Sequence, residues 1–193
     1  MKGKKYTTKD LHERKCNMNR FVNWLSMTDD RFFLVVNRRW RSQLLDIVLP
    51  RMTHLGGAYF TIISMLVLAL LLPNGKKVWA VHALFSLALS HVVVQWVKRM
   101  YGRRRPYLML PEVNTFKNPL KDFSFPSGHT TAAFSIAVSL SLHVPTLGVI
   151  LIPLAIIVGI SRMYIGLHYP TDCLIGSIIG ILGAVITMSL PFL

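Results

Sequence analysis

Five long apolar runs, separated by short polar clusters, dominate the pattern of hydrophobic and polar positions along this chain. Each run approaches the ~20 residues that an α-helix needs to cross the hydrocarbon core of a bilayer. Trp79 and Trp96, near the two ends of the second run, are typical of residues at a membrane interface. The pattern therefore predicts an all-α, polytopic transmembrane helix bundle with five clear spans, at residues 58–72, 78–97, 130–144, 147–160 and 170–193.

The N-terminal part of the chain follows a different pattern. Residues 1–20 are polar and basic and are predicted to be a mobile N-terminus, whereas residues 21–193 are predicted to form one membrane-embedded domain. Within residues 21–57, apolar clusters alternate with the run Arg38-Arg39-Trp40-Arg41. Three arginines are costly inside a bilayer, which favours an interfacial amphipathic segment in the headgroup region. A sixth membrane segment within residues 21–50 is the alternative.

Composition and charge indicate an anionic partner. Hydrophobic residues make up 52% of the 193 residues, and 22 Lys and Arg against 8 Asp and Glu give a formal charge of +14. Beside membrane spans, this excess is expected to face anionic headgroups and an anionic substrate, and the sequence contains no nucleic-acid-binding motif. Cys16 and Cys173 lack metal-site spacing and lie far apart in the chain, so neither a metal, a cofactor nor a disulfide is predicted.

The stretch from Pro126 to Thr130 is the first candidate for chemistry, because a polar loop turns there into an apolar helix. Ser127 is a favoured N-cap residue, and Gly128 lets a ligand approach the backbone closely. The free N–H groups and the macrodipole at a helix N-terminus form a natural phosphate site. His129 lies where it can exchange a proton with a bound group.

Two further polar clusters are expected to meet this stretch. The first contains Lys98 and Arg105, at the end of the second predicted span. The second contains Arg162 after the fourth span, and His168 and Asp172 at the start of the fifth. Counting the spans places all three clusters on one side of the membrane, at the ends of four helices.

These residue types suit phosphoryl transfer. The reaction needs cations on the phosphate oxygens, an in-line nucleophile and an acid for the leaving oxygen. Arginine binds phosphate oxygens in pairs, and Asp172 can accept a ring N–H of His168 and leave the other nitrogen free to attack. The sequence has no carboxylate cluster or His-x-x-x-His spacing for a catalytic metal. It therefore predicts a metal-independent reaction through a phosphohistidine.

The three clusters together resemble the signature of the type 2 phosphatidic acid phosphatase superfamily, which includes membrane lipid phosphate phosphatases and undecaprenyl pyrophosphate phosphatases. The matching segments are Lys98-x6-Arg105-Pro106, Pro126-Ser127-Gly128-His129 and Ser161-Arg162-x5-His168-x3-Asp172. The resemblance implies a multi-pass hydrolase of the cell membrane, acting in lipid metabolism of the cell envelope. It implies that phosphate is bound by Lys98, Arg105, Arg162, Ser127 and the Gly128 amide. It further implies that His168 is the nucleophile, that Asp172 orients it and that His129 protonates the leaving group.

Several alternatives stay open. The substrate is undecaprenyl pyrophosphate, phosphatidylglycerophosphate or phosphatidate, and the rival functions are a catalytically silent membrane scaffold and a lipid-phosphate transporter. With five spans, the N-terminus and the site lie on the same side of the membrane, and the basic N-terminus favours the cytoplasmic side for both. A sixth membrane segment would instead place the site on the outer face, which is what the resemblance implies for bacterial members. Four further residues receive mainly structural interpretations: a bundle contact for His91 and Gln95, surface charge for Arg103, and a pair with Lys121 or Arg104 for Asp122. The sequence does not indicate the oligomeric state.

Overall fold

The computed structural model describes residues 20–115 and 122–190, and within these residues the secondary structure is helical, with no strand. The predicted all-α helix bundle is therefore confirmed. The helices are α1 (Arg20–Leu34), α2 (Gln43–Met52), α3 (Ala58–Leu71), α4 (Lys77–Tyr101), α5 (Pro106–Met109), α6 (Gly128–His143), α7 (Pro145–Tyr164) and α8 (Pro170–Met188). A π-helical turn (Val35–Arg39) follows α1, and 3₁₀ turns precede α3 (Thr53–Gly56) and α4 (Asn74–Lys76).

Helices occupy the positions of all five predicted spans. Three segments of the described chain are long and apolar enough to cross a membrane: Asn74–Met109, which contains α4, then α7 and α8. The segment Gln43–Gly56 and α3 would make a fourth if they form one span with a 59° bend. Because α6 has only 16 residues, the predicted number of five spans stays a prediction.

Helix α6 lies inside the bundle, where it packs against α4, α7 and α8. Glycines on α8 allow the closest of these contacts, as small residues do between membrane helices. A Cβ atom added at Gly176 would lie 2.7 Å from the carbonyl oxygen of Ser127, and one at Gly180 would lie 2.5 Å from that of Thr131. Together with the hydrogen bond from the backbone N–H of Ser127 to the carbonyl oxygen of Asp172, at 3.0 Å, this packing holds the first turn of α6 beside the first turn of α8.

The segment before α3 lies across the end of the bundle that carries the predicted site. Asn37, fully buried, donates from its side-chain amide to the carbonyl oxygen of Tyr164 at 2.8 Å and accepts from the backbone N–H of Asn114 at 2.9 Å. Large apolar side chains of the same segment, such as Trp40 and Leu44, are exposed. These features agree with an interfacial segment, and the crossing of residues 21–50 stays a prediction. So does the division into a mobile N-terminus and one domain, since residues 1–19 lie outside the described residues.

Candidate active site

One cavity of about 410 Å³ collects most of the residues that the sequence singled out. It lies where the C-terminal ends of α4 and α7 meet the N-terminal ends of α6 and α8. The structure places five predicted functional side chains and one predicted backbone group on its wall: Lys98, Arg105, His129, Arg162, His168 and Gly128. Two predicted residues, Ser127 and Asp172, lie behind that wall.

Arg162 is the cation with the most unused hydrogen-bonding capacity. Its side chain is almost fully buried, at 2% exposure, and Nη1 donates to the hydroxyl of Thr53 at 2.8 Å. Its Nε and Nη2 atoms have no hydrogen-bond partner among the described residues. A buried charged donor without a partner is costly, so this cavity is built to receive an anion.

Lys98 and Arg105 are held by a carboxylate that the sequence analysis assigned elsewhere. The Lys98 ammonium donates to Asp122 Oδ2 at 2.5 Å, and Arg105 Nη2 donates to Asp122 Oδ1 at 2.6 Å. Burial alone would raise the pKa of Asp122, but these two cations lower it to about 2. Asp122 is therefore an anion at neutral pH, and it occupies two of the cations that a phosphate would use. The sequence had suggested a structural pair of Asp122 with Lys121 or Arg104, and it did not predict the contacts of Asp122 with Lys98 and Arg105.

His168 is buried, with 1% of its surface exposed, and its two ring nitrogens face different neighbours. Nε2 lies 3.2 Å from Arg105 Nη1. Because a guanidinium group can only donate, this contact leaves the proton of the neutral ring on Nδ1. Burial first, and then the charges of Arg162, Arg105 and Lys98, lower the pKa of His168 well below its ordinary value. The ring is thus neutral near pH 7, as a nucleophile must be.

Asp172 lies behind His168 and is fully buried. Its Oδ2 atom is 3.6 Å from His168 Nδ1, which is longer than a hydrogen bond, and the same oxygen accepts from the backbone N–H of Tyr169 at 2.8 Å. Asp172 Oδ1 accepts from Arg103 Nη1 at 2.7 Å. Catalytic hydrogen bonds are often long without a ligand, so the orienting role of Asp172 stays a prediction.

Arg103 connects this carboxylate to the N-terminal segment. Its Nη2 atom donates to Asp29 Oδ2 at 2.7 Å, and its guanidinium carbon lies 3.9 Å from the centre of the Tyr169 ring. Asp29 also accepts from the backbone N–H and the hydroxyl of Thr171, one residue before Asp172. The interpretation of Arg103 as surface charge is therefore wrong. No pattern in the sequence pointed to this network, because Asp29 is 74 residues away from Arg103.

The start of α6 follows the sequence prediction locally. Ser127 is the N-cap of the helix, and its hydroxyl accepts from the backbone N–H of Thr130 at 3.5 Å. Since Ser127 is fully buried behind the cavity wall, its predicted contact with phosphate stays a prediction. Gly56, which also lines the cavity, lies directly against this turn of α6: a Cβ atom there would lie 2.5 Å from the His129 carbonyl oxygen.

The other end of the cavity is apolar. It runs between α3 and α4, and Ile62, Leu87, Ala88 and Val94 line it. A site with cations at one end and hydrocarbon side chains at the other can hold a phosphate group joined to a lipid chain. Among the described residues, no group of three or more His, Cys, Asp or Glu side chains is arranged to hold a metal ion.

Comparison with known proteins agrees with this geometry. Residues 79–193 match the family model described as the PAP2 superfamily. The chain is 30% identical over 126 residues to a protein of Bacillus licheniformis named bacitracin transport permease protein BcrC, covering 65% of this chain and 62% of that one. It is 31% identical over 160 residues to phosphatidylglycerophosphatase B of Bacillus subtilis, covering 74% of this chain and 73% of that one.

Among solved structures, the crystal structure of Aquifex aeolicus LpxE is similar, with a TM-score of 0.74 and 31% sequence identity. That match covers 83% of this chain and 94% of the other. The alignments with the first curated relatives cover between half and three quarters of those proteins' lengths. Two further relatives, from Bacillus subtilis and Sulfolobus acidocaldarius, are named undecaprenyl-diphosphatases.

Proposed function

Because this chain belongs to the PAP2 superfamily, a family of membrane lipid phosphatases, we propose that it hydrolyses a phosphate or diphosphate ester of a membrane lipid. The observation that carries the proposal is the state of Arg162 on the wall of the cavity that also holds His168: within residues 20–115 and 122–190, its buried Nε and Nη2 atoms have no hydrogen-bond partner. A phosphate oxygen would satisfy these donors. The apolar end of the cavity would hold the lipid chain.

In the first step, the lone pair on His168 Nε2 attacks phosphorus, and the bond from phosphorus to the lipid oxygen breaks. His129 donates its proton to that leaving oxygen, so the lipid departs as an alcohol or as a lipid monophosphate. Arg162, Arg105 and Lys98 stabilise the charge that builds up on the three non-bridging oxygens. Asp172 stabilises the positive charge that His168 gains.

In the second step, water attacks the phosphohistidine. His129, now neutral, accepts a proton from that water, and the bond between phosphorus and His168 breaks. Inorganic phosphate leaves, and both histidines return to their starting states. His129 therefore serves as the acid in the first step and as the base in the second.

Three lipids fit this chemistry: undecaprenyl pyrophosphate, phosphatidylglycerophosphate and phosphatidate. The names of the relatives support this range, since they include undecaprenyl-diphosphatases and a phosphatidylglycerophosphatase. We further propose that the protein resides in the cell membrane as a multi-pass protein, because the spanning helices surround the site. The phosphorylated lipid would enter sideways from the bilayer, between α3 and α4.

A transport function is the second candidate, because the relative from Bacillus licheniformis is named a transport permease. A transporter would be expected to have its charged groups near the bilayer midplane. Here the cations that line the cavity, Lys98, Arg105 and Arg162, lie at helix ends. A silent scaffold is also disfavoured, since it gains nothing from a buried guanidinium group with two nitrogen atoms that lack partners in the described part of the chain.

The test is release of inorganic phosphate by the purified full-length protein in detergent micelles. The substrates are short-chain phosphatidate, phosphatidylglycerophosphate and a polyprenyl diphosphate, and His168→Ala is the matched inactive control. We expect multiple turnovers by the native protein and at least a 1,000-fold loss in the variant, on the order of the loss when a catalytic nucleophile is removed. Equal rates for the two proteins would overturn the proposed function.

A further inference from the structure

Two polar side chains lie in the cavity beyond the groups that the phosphatase chemistry uses. His91 and Gln95, both exposed residues of α4, line its apolar part together with residues such as Leu87 and Ile62. The Gln95 side-chain amide lies 3.2 Å from His91 Nε2. Thr61, the other polar residue of this part, donates its hydroxyl to the Gly57 carbonyl oxygen of the preceding turn.

The helix geometry places this pair directly behind the phosphate end of the cavity. Gln95 and His91 precede Lys98 by three and seven residues, so all three side chains share one face of α4. With a rise of about 1.5 Å per residue, Gln95 lies about 4.5 Å and His91 about 10 Å from Lys98 along the helix axis. Because Lys98 is near the membrane-surface end of α4, His91 lies deeper in the bilayer.

Polar groups at such a depth are costly and usually have a function. The contact between the two side chains uses only part of their capacity, since an amide group has two N–H donors and a carbonyl acceptor. A ligand that enters the cavity behind its phosphate would therefore meet hydrogen-bonding groups. A purely hydrocarbon chain would leave them unsatisfied.

The charge of the cavity indicates which ligand group belongs there. Among the described residues that line it, the Lys and Arg side chains are Lys98, Arg105 and Arg162, all at the phosphate end. A second phosphoryl group, as in a lipid diphosphate, would call for further cations beside it. The Gln95 amide, which carries no charge, instead suits neutral acceptors such as the ester carbonyl oxygens that phosphatidate carries a few bonds behind its phosphate.

We propose that His91 and Gln95 are specificity-determining residues that bind the ester carbonyl oxygens of a glycerophospholipid phosphate. This inference rests on the proposed function and narrows it. The protein prefers a glycerolipid phosphomonoester whose ester groups lie next to the cleaved phosphate, as in phosphatidate, over a polyprenyl diphosphate. The preference arises in the lipid part of the cavity, because the phosphate end contacts the phosphoryl group that all of these substrates share.

The experiment compares kcat/KM of the native protein with that of a variant carrying His91→Leu and Gln95→Met. The substrates are dioctanoyl phosphatidate, its ether-linked analogue without carbonyl groups, and farnesyl diphosphate. Two lost hydrogen bonds correspond to a loss of about 5- to 150-fold for the ester lipid. We expect the ether lipid and farnesyl diphosphate to change less than twofold. Val92→Leu, at an exposed position of α4 outside the cavity wall, is the control and should leave all three rates unchanged.

The other possible results of this experiment would overturn either the inference or the proposed function. A larger loss for farnesyl diphosphate than for the ester lipid would assign the pair to a second phosphoryl group and overturn the inference. Equal losses for all three substrates would assign His91 and Gln95 a structural role and would overturn the inference as well. If the native protein releases no phosphate from any lipid, the proposed function fails. Binding of the ester and ether lipids to the native and double-variant proteins by isothermal titration calorimetry then tests the inference separately, and equal affinities for the two lipids would overturn it.

Discussion

The network behind His168 makes a specific prediction about Arg103, a residue that does not line the cavity. Replacing Arg103 by Met removes the donor at 2.7 Å from Asp172 Oδ1 and the donor at 2.7 Å from Asp29 Oδ2. Both carboxylates are buried, with side-chain exposures of 0% and 2%. Asp172 would keep the backbone N–H of Tyr169 and lose the group that fixes its other oxygen.

The expected size of the effect follows from the strength of a charge-assisted hydrogen bond, about 1.5–3 kcal/mol. If the loss of this bond misaligns Asp172 with His168 and raises the activation free energy by the same amount, kcat should fall about 10- to 150-fold, since each 1.36 kcal/mol is a factor of ten. KM should change less than threefold, because Arg103 lies outside the cavity wall and does not contact the substrate. A positioning role thus shows up in kcat rather than in KM.

The assay is initial-rate hydrolysis of short-chain phosphatidate in detergent, with thermal unfolding of each variant measured in parallel. Arg104→Met is the matched control, since it removes the neighbouring and exposed arginine, and it should keep at least half of the native activity. Asp29→Asn weakens the same network from its far side and should reduce kcat less than Arg103→Met does. Equal activity of the Arg103 and Arg104 variants would refute the role of Arg103, as would a purely KM-based loss.

Three further predictions concern charge and orientation. Asp122→Asn removes the anion that occupies Lys98 and Arg105, so the inhibition constant of vanadate, measured from its effect on phosphatidate hydrolysis, should fall about 3- to 10-fold; an unchanged or higher constant would show that Asp122 does not compete with phosphate. Burial and the charge of Arg162 lower the pKa of His168, so protonation of His168 should not reduce kcat between pH 8 and pH 6. A tenfold fall in kcat over that range that disappears in His129→Gln would belong to His129 and would leave His168 neutral. The same fall persisting in His129→Gln would contradict this prediction. In a cysteine-free background, an impermeant maleimide added to intact cells should label a cysteine at Thr115 and not one at Asn74, since we expect the cavity to open outward; labelling at Asn74 alone would contradict this and place the cavity on the cytoplasmic side.

The sequence was most informative where the determinants are local or repeat along the chain. Apolar runs predicted the helix positions, and the Pro-Ser-Gly-His stretch predicted the N-cap of α6 at Ser127. The three clusters predicted one cavity because helices in a membrane run from face to face, so that counting spans fixes which ends meet. The resemblance to a family signature added roles for those residues.

The sequence was least informative about the partners of each charge. Asp122 contacts Lys98, 24 residues away, and Arg103 contacts Asp29, 74 residues away, and no spacing rule connects such pairs. The end of α7 was also hard to predict, because the apolar run stops at residue 160 whereas the helix continues to Tyr164. No sequence signal marked Gly56, although only a residue without a side chain allows its close approach to the backbone at His129.

If His168 is the nucleophile, the phosphoryl group is bound covalently to its ring during each turnover, and this phosphohistidine can be trapped. The purified protein would be mixed for milliseconds with ³²P-labelled phosphatidate and denatured in alkali, which preserves phosphohistidine and hydrolyses phosphoserine. Peptide mapping would then locate the label. We predict alkali-stable label on the peptide that contains His168, and no such label in His168→Ala. Label on any other residue, or the same labelling in His168→Ala, would contradict it.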